Sequence, residues 1–439
     1  MTIGPLHLRS FAYAAALAAC GDAGSGDTGS TTTSIGTGPA TTPGGDDATT
    51  AAATTSGPGT TAADPATTDT GAGEAGAPDG PPTLTRIGET FEIPSLPAAT
   101  PKRFVDAAHD PIGDVYLVVN GNAAISGAFV DADGAPLGAP FALAETDAWT
   151  QGARVGYGDA FLVAWHDTRD DPDLSALRGR IVAWDGAGPA FAGPDFEIGG
   201  AGTYGEMPPA IAWSAAASAY LVVWHTGADH DIHARRVAHD GALVGDPVAL
   251  TADPDWQSDA GVAWHAARDE WLVVYTHAGA TTEVRARRLA ADGTPLADPT
   301  TLTTAAGTWL AQVVYVPETA DYLAAWFEGT MQARRLDADG APLAPAFTLA
   351  PGYGNYDGYA VARSPVSGRF VAVFHGTSDE DFALAFAADG TLGAVLEATA
   401  SRGADGHYNP HIAAHGARAE YLLVTSLGFA SVVGQRLGE

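Results

Sequence analysis

The sequence predicts an all-β fold, a seven-bladed β-propeller of four-stranded antiparallel blades over residues 85–439, and three observations carry that prediction. One five-residue apolar motif recurs seven times: YLVVN at Tyr116, FLVAW at Phe161, YLVVW at Tyr220, WLVVY at Trp271, YLAAW at Tyr322, FVAVF at Phe370 and YLLVT at Tyr421. Successive starts lie 45, 59, 51, 51, 48 and 51 residues apart. Six of the units also carry Asp-Gly, at Asp133, Asp185, Asp240, Asp292, Asp339 and Asp389.

Each motif reads as a strand, because it is short, rich in Val and aromatic residues, and bounded by turn residues. It is apolar on both faces, with Tyr220, Val222 and Trp224 to one side and Leu221 and Val223 to the other. Such a strand needs cover on both sides. Another strand precedes it, as in Ala210–Trp213 or Val262–Trp264, across turns such as SAAASA and HAARDE. A polar loop follows, then strands such as HARRV from His233, RARRL from Arg285 and QARRL from Gln332. Asp-Gly favours the positive φ of a tight hairpin turn, and a fourth strand such as PVALT (from Pro247) or PTTLT (from Pro299) completes the unit. A β-sandwich is the rival architecture, but it does not explain near-equivalent four-strand units of about 50 residues. The seventh unit stops after its third strand, while Ile87–Pro94 reads as an orphan fourth strand. The N-terminal strand is therefore expected to close the ring against the C-terminal blade, which would otherwise leave an unpaired edge.

Arg9, the apolar run Phe11–Ala19 and small residues read as a signal peptide over 1–19. The tetrad Leu17-Ala18-Ala19-Cys20 resembles the lipobox of bacterial lipoproteins. That resemblance implies lipid attachment at Cys20 and a place in the cell envelope, with the outer membrane or cell surface favoured over the inner membrane and the choice between membranes left open by Gly21 and Asp22 after the cysteine. Residues 20–84 are rich in Thr, Gly, Ala and Asp, too polar to build a core, and read as a disordered tether. A flexible coil of about 60 residues spans roughly 45 Å. Cys20 is the sole cysteine, so no intramolecular disulfide can form. The net charge of −31 argues against nucleic acid and against adsorption to anionic headgroups.

The architecture resembles that of bacterial propeller lipoproteins. By that resemblance, the loops after the motif strand and before the first strand of each unit share one face around the central channel. His166, His225 and His375 follow the motif strand there, as does Asp167, and Trp149, Tyr204, Trp256, Trp309, Tyr356 and Tyr408 precede the first strand. Together they suggest a polar funnel rimmed by aromatics, suited to a glycan or an envelope protein; inter-blade packing explains their recurrence as well. The Asp229–His233 cluster has poor metal spacing, and the Asp-Ala-Asp-Gly turns at Asp131 and Asp337 lack the downstream glutamate of a calcium loop. The repeated arginine pairs Arg235-Arg236, Arg287-Arg288 and Arg334-Arg335 are expected to bond neighbouring loops or the blade edge. No Asp box, nucleophile elbow, Walker loop or His-Glu-x-x-His occurs. The expectation is a monomeric, membrane-anchored recognition or scaffold module without catalytic residue, metal or cofactor. A propeller-fold polysaccharide hydrolase or lyase is the alternative, and a purely structural envelope component the third.

Overall fold

The computed structural model describes residues 80–97, 104–121, 124–144, 146, 148–171, 174–203, 207–351, 358–376, 380–399 and 407–439. The expected signal peptide, Cys20 and nearly all of the tether lie outside them, as do Tyr204 and Tyr356. The described residues form strands and turns with no helix.

Seven antiparallel sheets follow one another along the chain. Blade I is β2 (Asp106–Asp110), β3 (Val115–Asn120), β4 (Ser126–Asp131) and β5 (Pro136–Ala142). Blade II is β6 (Thr150–Tyr157), β7 (Phe161–Asp167), β8 (Ser175–Trp184) and β10 (Phe196–Thr203). Its Asp-Gly turn joins β8 to an added short strand, β9 (Pro189–Phe191), which accounts for the longest interval between motifs. Blade III is β11 (Ala210–Ser214), β12 (Ala219–His225), β13 (Ile232–Ala238) and β14 (Leu243–Ala249). Blade IV is β15 (Trp256–His265), β16 (Glu270–Ala278), β17 (Thr282–Ala290) and β18 (Thr300–Thr304). Blade V is β19 (Thr308–Val316), β20 (Asp321–Glu328), β21 (Met331–Leu336) and β22 (Phe347–Thr348). Blade VI is β23 (Tyr359–Arg363), β24 (Phe370–His375), β25 (Asp381–Phe386) and β26 (Leu392–Glu397). Blade VII is β27 (His407–Ala414), β28 (Glu420–Leu427), β29 (Ser431–Gly438) and, outermost, β1 (Thr85–Ile93).

The first strands touch in unbroken sequence, β2 to β6, β11, β15, β19, β23, β27 and back to β2. They are the inner wall of a closed seven-bladed propeller. The ring closes as the orphan strand predicted: β1 pairs antiparallel with β29, from Thr85 opposite Gly438 to Ile93 opposite Val432.

The core is divided among the blade interfaces. Tyr220, Val222 and Trp224 pack towards blade II, and Leu221 and Val223 towards blade IV. A twisted sheet buried on both faces thus supplies half of each of two cores, which is why the motif strands carry no polar face.

The arginine pairs fasten blades to one another, together with two single arginines, Arg180 at the position of a first member in blade II and Arg436 at that of a second member in blade VII. The first member reaches a carbonyl at the end of the preceding blade's outer strand: Arg180 to Leu143 O (3.1 Å), Arg235 to Ile198 O (3.0 Å), Arg287 to Leu250 O, and Arg334 to Leu302 O (2.6 Å). The second member turns to carboxylates, including the Asp-Gly turn of the following blade: Arg288 to Asp339 (2.7 Å) and Arg436 to Asp133 (3.2 Å). Those turns also lean on the preceding blade. A Cβ on Gly134 would stand 2.7 Å from Phe91, and its φ of 92° independently favours glycine. The aspartates at the start of these hairpins serve the turn itself: Asp131 Oδ1 accepts from Asp133 N and Ala135 N, and Asp337 Oδ1 from Asp339 N and Ala341 N. Arg334→Ala removes the bond to Leu302 O and another to Ala344 O. It is expected to cost about 1–3 kcal/mol, read as a lower urea midpoint; an unchanged midpoint contradicts the stapling role.

Candidate functional site

Strand register turns the inner wall into two rings of equivalent positions. Opposite the fourth residue of the motif strand lie Asp106, Arg154, Ala210, Gly261, Gln312, Ala360 and His411, in blades I to VII. Opposite its first residue lie His109, Tyr157, Trp213, Trp264, Tyr315, Arg363 and Ala414. The upper ring sits just below the face formed by the loops on which the candidate residues were placed. The lower ring sits at the opposite mouth.

A recurrent backbone feature marks the upper ring. Two residues before it, six blades place a residue with positive φ: Phe104, Gly152, Asp259, Leu310, Gly358 and Asn409. Blade III has Pro208 there. In β6, β15, β19 and β27 this coincides with a register shift against the next strand. A bulge bends a strand and re-aims its side chains, so the regular wall is broken just where it meets the loop face.

The charged members of the upper ring are neighbours. Asp106 is buried and accepts from Ala107 N (2.7 Å) and Val155 N of blade II (2.9 Å), while His411 Nδ1 of blade VII lies 2.5 Å from its Oδ1. Burial pushes the Asp106 carboxyl up, but His411, Arg154 and the Val155 N–H outweigh that and hold it below the usual range. Arg154 follows in blade II. Across the ring Gln312 bonds Tyr359 O and receives Val361 N, tying β19 to β23. Asp259, on the bulge of β15, is pushed up by burial, against the hydrogen bonds from Ser258 and the Leu310 N–H.

The lower ring is aromatic over four consecutive blades. Trp213, Trp264 and Tyr315, with Ala263, Ala266 and Pro317, line a groove of about 710 Å³. All three rings are half-buried, and each rests on a buried aromatic of its own blade: Trp213 on Tyr220 (centroids 4.6 Å apart), Trp264 on Trp271 (4.4 Å) and Tyr315 on Tyr322 (5.8 Å). These platforms are held rigid before any ligand arrives.

The residues singled out from sequence are distributed as follows. Trp149 is exposed beside β6, and Trp256 and Trp309 are half-buried at the starts of β15 and β19. Trp256 stacks on His230 (4.4 Å) and His225 (4.9 Å), and Trp309 meets Phe327 edge-on. His166 is fully buried, with Nε2 3.0 Å from Met207 O of blade III, and burial pushes it down to about 4. His225 is likewise buried and pushed down to about 3, by burial first and His230 second. His375 is buried with Nδ1 3.4 Å from Asp381, and Asp167 is buried against Arg169 (2.7 Å). Tyr408 lies in β27, in register with Ser426 of β28. The two rings were not among the sequence-derived candidates, although an aromatic closing the first strand (RVGY, AIAW, GVAW, QVVY) was visible in four units.

Among the described residues two groups have metal-ligand types within reach of one another, and hydrogen bonding argues against both. At the junction of blades I and VII, His109 and His415 each bring Nε2 towards Asp114 Oδ1, at 3.5 and 2.9 Å. His109 Nδ1 accepts from Gly416 N, and His415 Nδ1 from Ala417 N and Arg418 N. The ring proton of each neutral imidazole therefore sits on Nε2, and the two nitrogens turn a proton towards the Asp114 carboxylate rather than a lone pair towards a cation. Beside Asp253 and Asp255, the Nδ1 of His277 faces the Gln257 amide nitrogen at 3.3 Å. That amide nitrogen also donates to Asp255 O, which fixes its orientation and leaves the His277 proton on Nε2.

No protein-family description and no curated protein matches the chain. Among solved structures it is similar to Raptor of Chaetomium thermophilum, with a TM-score of 0.50 and 12% identity over 81% of this chain. The match spans 29% of the Raptor chain. It is also similar to a chain from a structural and mechanistic analysis of two prolyl endopeptidases, with a TM-score of 0.45 and 10% identity, over 73% of this chain and 45% of that one. Likeness at such identities speaks for the fold alone. The chain is a seven-bladed β-propeller.

Proposed function

We propose that this propeller is a recognition module of the bacterial cell envelope, displayed on a tether from a lipid at Cys20, and that it takes a glycan at the aromatic mouth. The observation that carries the reading is the groove walled by Trp213, Trp264 and Tyr315. The face of an aromatic ring is electron-rich and attracts the C–H-bearing face of a sugar ring. Three such faces on successive blades offer several sugar units a place at once, and the loops between blades supply specificity. The signal-like start and the lipobox resemblance support the envelope placement.

The hydrolase reading draws on one feature, Asp106 and Asp259 on the inner wall with carboxyls shifted in opposite directions. Against it, Asp106 is fully engaged by His411 and two backbone N–H groups.

A screen of the full chain against envelope and exopolysaccharide glycans tests the proposal. Trp264→Ala is expected to weaken the captured glycan about 10- to 100-fold, from the usual cost of removing a central aromatic, without new reducing ends appearing. Glycan binding that ignores Trp264, or cleavage lost in Asp259→Asn, would reject recognition at this mouth.

A further inference from the structure

The opposite end of the same wall holds a cation whose protein contacts are few. Among the described residues Arg154 makes one hydrogen bond, from Nη1 to the neighbouring Ala153 O at 3.3 Å, and is attracted to Asp106. Asp106 is already occupied by Ala107 N, Val155 N and His411. The other wall-lining arginine, Arg363, pairs with Glu318. A guanidinium is charged at every accessible pH and presents five donors in a planar fork, so partial withdrawal from water is costly until a planar acceptor meets it. Beyond Arg154 around the ring come Ala210 and Gly261, which with Ala360 are the small residues of the circle. Gly261 has to be small because a Cβ there would stand 2.9 Å from the Gln312 Cα, whereas Ala210 is half-buried in the next blade along from Arg154.

We propose that Arg154 is the receptor for a carboxylate carried by a ligand that enters the channel from the loop face, with the Asp106–His411 pair positioning the guanidinium and Ala210 leaving the space beside it. The carboxylate meets the guanidinium fork to fork, the geometry that gives arginine its preference for planar oxyanions. Backbone N–H groups and His411 hold Asp106, so its charge is shared within the wall. The ligand class is an acid-bearing one, such as a uronate unit of a glycan. The inference deepens the recognition reading but uses the other end of the wall, so the two fail separately.

The test titrates the full chain with D-glucuronate, and with D-glucose as the neutral counterpart, by ligand-observed NMR. Glucuronate is expected to bind at least about tenfold more tightly than glucose, the scale of one charged hydrogen-bonded contact. Arg154→Gln should erase that preference. Arg154→Lys, which keeps the charge and loses the fork, should retain only a minor part of it, and Trp264→Ala should not erase it. Equal affinity for the two sugars, no measurable glucuronate binding, or a preference that survives in Arg154→Gln overturns the proposal. Should the variants fold poorly, the wild-type melting temperature decides: a rise with glucuronate and none with glucose supports the site, and equal or absent shifts overturn it.

Discussion

Deleting Thr85–Ile93 is expected to open the ring and lower the melting temperature by more than about 10 °C, or to leave the chain insoluble. The strand contributes Ile93, fully buried in the core between blades VII and I, together with half-buried Phe91 and Ile87. Burying one such side chain fully and two by about half is worth about 3–6 kcal/mol, a large share of the net stability of many domains. The loss also exposes the ladder edge of β29, and Gln435, which donates to Ile87 O and receives the Thr90 hydroxyl hydrogen bond, loses those partners. Phe91 further lies against Gly134 of blade I and Gly434 of its own blade, so the turn of the next blade loses its seat. A synthetic peptide of residues 80–96 added in trans should restore part of the melting temperature. A deletion variant that melts with the intact chain would mean that β1 does not close the ring.

Acidification from pH 7 to pH 4.5 is expected to remove about 3–6 kcal/mol of stability, at up to about 1.4 kcal/mol per pH unit for each buried histidine. Burial pushes His166 and His109 down to about 4 and His225 to about 3, with His415 adding to the effect at His109. The unfolded chain, with histidines near 6.5, binds more protons than the folded one between those values. Stability therefore rises with pH through that window and falls as pH drops below about 6.5. Asp106 adds its own loss only below the ordinary carboxyl value of 3.8, because its folded carboxyl is lowered. Asp259, raised by burial, acts in the opposite direction and is a single group. Urea midpoints across this range check the slope, and His166→Gln, which keeps a donor for Met207 O, should flatten it. A midpoint independent of pH would show that these histidines are open to protons in the folded state.

The repeat frame was legible because its determinants are local. Doubly apolar runs such as YLVVW and the Asp-Gly turns each specify one strand or one hairpin within a few residues. Closure was legible too, since an unmatched outer strand at one end answered a missing one at the other. The added strand β9 was less visible, because Pro189–Phe191 is short and reads as loop. The rings of the inner wall could not be read, because which residue faces which depends on pairing register and on the bulges. Asp259, Asn409 and Gly152 are residue types that tolerate positive φ, but Phe104 and Leu310 adopt it where nothing in their chemistry announces it. Sequence reasoning drew the eye to aromatics next to loops, such as Trp256. It set aside Trp213 and Trp264 as strand residues, although they and Tyr315 share the groove.

Hydrogen–deuterium exchange of the full chain, with and without the glycan captured in the screen, tests recognition at the aromatic mouth most directly. The account predicts added protection at residues 213–217, 264–268 and 313–317, where the first strands turn back towards the groove. Protection confined to the loops before β15 and β19, or spread evenly over the blades, would contradict it.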